Sequence, residues 1–169
     1  MQKALEAGKV RAIGLSNFVD ARFVDLVENM EVKPAVLQLE THVFSQQKRM
    51  RELMAPYGTR LMAWAPLAEG RNGIFTHPTL TAIGAKYGKT AAQTALRFLM
   101  AEDVIAIPKS VHRERLVENF SIDDFELSAE DLDAIRALDG GKPMFADFND
   151  PALAKFLLEY DAKFNPERQ

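Results

Sequence analysis

Four short apolar runs divide this chain into repeating units, and they constrain its fold more than any other feature. The runs are IGLSN (13–17), VLQLE (36–40), LMAWAPL (61–67) and VIAIP (104–108). Their near-continuous hydrophobicity predicts strands buried on both faces, as in a parallel sheet. Amphipathic helices are expected between them. Phe23, Leu26, Val27 and Met30 share one stripe behind Asp20, which reads as an N-cap. Met50, Leu53, Met54 and Tyr57 repeat that spacing until Gly58 ends the helix. Thr90 and Gln93 read as a capping box ahead of Ala95, Leu96 and Leu99. Ser110 is the expected cap of the helix after the fourth run, with Leu116, Val117 and Phe120 facing inward. Ser128 caps a further helix bearing Leu132, Ile135 and Leu138, and Asp150–Pro151 opens another with Leu153, Phe156, Leu157 and Tyr160. The stretch GGKPMFADFN between those two helices reads as a loop.

Alternation of this kind predicts α/β architecture with right-handed crossovers. Polar residues close every run: Ser16–Asn17, Glu40–Thr41–His42, Glu69–Gly70 and Lys109–Ser110. Ligands bind at the carboxyl ends of strands in both barrels and open sheets. A (β/α)8 barrel needs about 250 residues and rarely fewer than about 200. With 169 residues and four βα units, the chain is too short to be a whole barrel. One domain over 1–169 is the simplest organisation, with a C-terminal tail at 139–169.

The last unit carries the clearest sign of a ligand. In VIAIPKSVHRERLVEN (104–119) a buried strand gives way at once to Lys109 and a basic helix. A helix N-terminus favours anions. Arg115 and Asn119 are four residues apart, so both reach one ligand from the same helical face.

With these residues in hand, the chain closely resembles the C-terminal half of an aldo-keto reductase. GKVRAIGLSNF (8–18), VLQLE (36–40), AWAPLAEG (63–70) and IPKSVHRERLVEN (107–119) each look like a family motif, in family order and spacing. The likeness runs over roughly residues 3–160. It implies that the four strands are the fifth to eighth of a (β/α)8 barrel whose NADPH lies across the strands' carboxyl ends. It further implies that Ser16, Asn17 and Gln38 hydrogen-bond the nicotinamide carboxamide. Trp64 would stack on the nicotinamide, where many members carry Tyr, and Ala65, Pro66, Leu67 and Gly70 would line the pyrophosphate path. Lys109, Ser110 and Arg115 would hold the 2′-phosphate and adenine, with Glu118 and Asn119 at the adenine edge. Two cations near one phosphate favour NADPH over NADH, which has no 2′-phosphate. Ala65, Thr41 and His112 depart from the commonest residues at their positions.

Each assignment has a plainer alternative. Ser16–Asn17 could simply turn the chain, Gln38 could make a structural hydrogen bond, and Trp64 could be core. Lys109 and Arg115 could pair with Glu114 or Glu118 on the surface. His42 and His112 do not match the family's catalytic His, and His77, beside Pro78, is expected on the surface. No His and carboxylate cluster has metal-ligand spacing. The net charge of −3 gives no electrostatic case for nucleic acid. No apolar run reaches the ~18 residues of a membrane span. The absence of cysteine fits a reducing cytosol.

The family's catalytic Asp, Tyr, Lys and His come from the first half of its barrel, and none of those motifs occurs here. Tyr57, Tyr87 and Tyr160 are all expected away from strand ends. The expectation is therefore the C-terminal portion of a reductase of small carbonyl compounds, with cofactor-binding residues and no catalytic acid of its own. The alternative is a non-catalytic NADP-binding module. Two unpaired sheet edges would pair with a second copy or with a separate N-terminal half.

Overall fold

The computed structural model describes residues 1–164, so the end of the expected tail, 165–169, lies outside the described residues. After a short helix α1 (Gln2–Glu6), four strands follow: β1 (Gly14–Ser16), β2 (Val36–Glu40), β3 (Arg60–Trp64) and β4 (Ile105–Ala106). They form one parallel sheet in the order β1-β2-β3-β4. Helix α2 (Ala21–Asn29) follows β1, and α3 (Lys48–Met54) follows β2. Between β3 and β4 lie a kinked 3-10 stretch (Ala68–Thr76), α4 (Pro78–Lys86) and α5 (Ala91–Ala101). Helix α6 (Arg113–Phe120) follows β4, and α7 (Ala129–Arg136) and α8 (Pro151–Phe164) complete the chain. This is the expected partial (β/α)8 barrel. No helix of the described residues is long and apolar enough to cross a membrane.

The sheet is buried on one face rather than two. Leu37, Leu39, Leu61 and Ala63 point into a core with Phe23, Val27, Met50, Met54 and Leu99 from the helices. The alternate residues Gln38, Met62 and Trp64 are half-buried, and Gly14 and Ser16 are exposed. That second face is the concave side of a barrel wall, which no other described strand covers.

The capping box on α5 forms as expected. The Gln93 N–H donates to Thr90 Oγ1 at 3.2 Å, and the Thr90 N–H donates to Gln93 Oε1 at 3.1 Å. Ser128 caps α7 through the Asp131 N–H at 3.2 Å. Two other expected caps differ. Asp20 is the N-cap residue of α2, at φ 48°, but its side chain makes no capping bond. It pairs instead with Arg49 at 2.8 Å and accepts from Asn149 Nδ2 at 2.7 Å, tying α2 to α3 and to the tail loop. The N-cap of α6 is His112, because Ser110 Oγ accepts the His112 N–H at 3.1 Å and closes a local turn first. Leu116, Val117 and Phe120 are exposed rather than inward-facing, since no described element packs over that side of α6. Helix α4 is opened by Pro78 at its first position. His77 is half-buried against the Phe44 ring, with centroids 5.5 Å apart, and is not a surface residue.

Candidate functional site

Parallel register puts Ser16, Gln38, Met62 and Ile105 in one row across the sheet, with Glu40 and Trp64 paired one step beyond. The chain leaves β1 through Asn17 at φ 60°, a conformation that Asn tolerates better than most residues. Its N–H bonds the Gln38 carbonyl at 2.9 Å, and its Oδ1 accepts from Trp64 Nε1 at 2.9 Å. The Asn17 amide N–H groups have no acceptor among the described residues. The Gln38 side chain has no hydrogen-bond partner among the described residues, so the structural bond weighed for it does not form.

Beyond Trp64 the backbone turns sharply. Ala65, Ala68 and Glu69 all adopt positive φ, at 50°, 48° and 49°, a costly run for residues with a Cβ. Bonds from the Ala68 N–H to the Ala65 carbonyl (2.8 Å) and from the Gly70 N–H to the Leu67 carbonyl (2.9 Å) hold this turn. Pro66 and Ala68 are buried beneath it, and Gly70 sits at φ 76°.

The turn leads into a cleft of about 550 Å³ between α5 and the start of α6, which brings Leu67, Lys109, Ser110, Arg115, Glu118 and Asn119 together. Lys109 and Arg115 are exposed and have no carboxylate partner among the described residues. Glu118 is already taken, since it accepts from Thr90 Oγ1 at 2.6 Å. The surface ion pairs considered for the two cations are therefore absent, and both face the cleft free.

The model of the aldo/keto reductase family matches residues 1–140. This chain belongs to the aldo/keto reductase family. It is 41% identical over 138 residues to a glyoxal reductase of Bacillus subtilis, covering 82% of this chain and 49% of that protein. Among solved structures, it is similar to an aldo-keto reductase from a Medee basin deep-sea metagenome library, with a TM-score of 0.84 and 37% identity, covering 88% of this chain and 56% of that one. It is also similar to a silkworm (Bombyx mori) aldo-keto reductase complexed with NADPH, with a TM-score of 0.77 and 32% identity, covering 84% and 46% of the two chains. The chain thus spans about half the length of the relatives it matches.

Within this aldo-keto reductase chain, one buried cluster escaped the sequence reading. Glu40, 3% exposed at the end of β2, accepts the Met144 N–H at 2.6 Å, the Phe145 N–H at 3.1 Å and His42 Nε2 at 3.1 Å. Burial pushes its pKa up, but the bonds from His42, Met144 and Phe145 outweigh that and hold it below the usual glutamate value. A charged residue ending an apolar strand was a visible signal. Its partners, 104 and 105 positions away, were not. Phe145 in turn lies 5.7 Å from the Trp64 ring, and the Arg71 guanidinium sits 4.7 Å over it.

Proposed function

We propose that this chain is the cofactor-holding part of an NADPH-dependent aldo-keto reductase that reduces aldehydes or ketones to alcohols. The observation that carries this reading is that Lys109 and Arg115 line one cleft where β4 leads into α6, with no carboxylate partner among the described residues. Two free cations at one place fit a dianionic phosphate, and the 2′-phosphate distinguishes NADPH from NADH. The silkworm neighbour's NADPH supports the same cofactor. When bound, NADPH supplies the hydride that reduces the carbonyl carbon.

The remaining residues divide the work of holding it. Asn17 through its amide N–H groups, Gln38 through an amide with no partner among the described residues, and Ser16 bond the nicotinamide carboxamide and so choose which ring face meets the substrate. Trp64 offers its indole for stacking, fixed through Nε1 by Asn17. Ala65, Pro66, Leu67 and Gly70 form the turn under the pyrophosphate, and Ser110, Glu118 and Asn119 line the adenosine end. The Tyr57 and Tyr87 hydroxyls are bonded to Glu28 and Asp131, which supports assigning proton donation to residues outside this chain. Such a donor contributes roughly 10²–10⁴-fold, so the chain by itself binds cofactor far better than it turns over.

The test is a titration of the purified chain with NADPH and NADH, followed by Trp64 fluorescence. NADPH is expected to bind at least about tenfold more tightly. Lys109→Ala and Arg115→Ala should each remove most of that preference while leaving NADH binding unchanged. Equal affinity for the two dinucleotides, or none for either, overturns the reading.

A further inference from the structure

The cluster around Glu40 links the far end of the chain to the nicotinamide end of the site. Glu40 and His42 are 3% and 0% exposed, yet every polar atom of both side chains is engaged. The Phe44 N–H donates to His42 Nδ1 at 3.2 Å. That leaves the ring proton on Nε2, where it points at Glu40. The carboxylate thus collects three donors, and two of them are consecutive N–H groups of the tail loop. A buried carboxylate is stable only when so satisfied. The loop is consequently fixed at Met144–Phe145 rather than merely resting on the sheet.

What this fixes is a ring. Held by its own N–H, Phe145 turns its side chain to Trp64 at 5.7 Å and to His42 at 6.1 Å, with Arg71 above it at 4.7 Å. Glu40 and Trp64 are register partners on adjacent strands, so carboxylate, loop and indole form one closed circuit. The indole has two restraints: Asn17 holds its Nε1 and Phe145 packs on its ring. The family model's match ends at residue 140, before the loop residues that complete this circuit.

We infer that Glu40 and His42 are positioning residues, a buried clasp that sets the Trp64 indole, through Phe145, for the nicotinamide end of the dinucleotide. The cofactor part of this inference rests on the function proposed above. The clasp itself is a property of the chain before any cofactor binds.

Trp64 is the only tryptophan in the sequence, so its near-ultraviolet dichroism and emission report the clasp directly. Glu40→Gln keeps the shape but presents an amide N–H₂ to a backbone N–H donor. The variant should retain far-ultraviolet dichroism while the Trp64 signals shift and acrylamide quenching rises. Its affinity for NADPH should fall about threefold to tenfold, the worth of one aromatic contact. Its affinity for adenosine 2′,5′-bisphosphate, which has no nicotinamide, should not move. Phe145→Leu leaves Glu40 intact and should reproduce both effects.

A folded Glu40→Gln protein with wild-type Trp64 signals overturns the clasp, as does equal weakening of both ligands, which would mark general damage. If Glu40→Gln does not fold, Phe145→Leu decides: wild-type signals and NADPH affinity overturn the inference, and a selective loss of NADPH supports it. If the wild-type chain binds no NADPH but both variants shift the Trp64 signals, the clasp stands and the proposed function falls.

Discussion

Gln38 and Glu40 lie two residues apart on the same face of β2, and their different fates show how local environment assigns roles. Gln38 is half-buried, and its amide has no hydrogen-bond partner among the described residues. Glu40 is closed off by three donors and belongs to the framework. Because its folded pKa is depressed, Glu40 binds fewer protons folded than unfolded around pH 4. Its stabilising contribution is complete above the unfolded value of about 4.3 and is lost as the pH falls through the lower folded value. Glu102 and Asp131 are depressed too: burial raises each, and Arg51 with Arg136, or Lys86 with Tyr87, more than offsets it. The melting temperature of the chain should therefore fall between pH 5 and pH 3, and Glu40→Gln should flatten part of that fall. An identical pH profile in the variant would contradict this account.

At the scale of elements, α5 and α6 make the sharpest contrast. Helix α5 begins in a full capping box and buries eight of its residues, so propensity, cap and packing agree. Helix α6 has no side-chain cap bond and buries none. The packing of α4 on α5 depends on a small residue. A Cβ built on Gly84 would come within 2.5 Å of the Lys89 carbonyl oxygen and 2.8 Å of Thr94 Oγ1. The carbonyl cannot move without breaking the turn, whose Lys89 N–H returns to the Gly84 carbonyl at 2.9 Å. Gly84→Ala should cost about 1–3 kcal/mol in denaturant unfolding, despite alanine's better helix propensity. A neutral or stabilising result would show that the α4–α5 contact yields more easily than its geometry implies.

Across the whole molecule, β1 and β4 each have a hydrogen-bonded neighbour on one side only among the described residues. Ile107, Leu116, Val117 and Phe120 are 43%, 49%, 58% and 84% exposed beside the β4 edge. A groove of about 540 Å³ runs between β4, α5 and α6. Unpaired edges and exposed large apolar side chains favour association. Light scattering at micromolar concentration should therefore give a mass above the 18.9 kDa of one chain. Phe120→Asp should lower that mass. A well-folded wild-type monomer would show that these surfaces are stable in water as they stand.

The sequence by itself determined the βα alternation, the core positions Phe23 and Val27 of α2 and the stripe of α3, the caps at Thr90 and Ser128, and the set of polar residues at the strand ends. These features rest on short-range periodicity and on side chains bonding three residues away, so adjacent residues suffice to specify them. Register, burial and long-range partners were decided only by the tertiary structure. Nothing local could tell that Leu116 and Phe120 would stay exposed, that Asp20 would choose Arg49, or that Lys109 and Arg115 would have no carboxylate partner among the described residues. Nor could it join Glu40 to Phe145, because that bond exists only after the sheet has set the end of β2 beside Trp64 and the tail has returned across it.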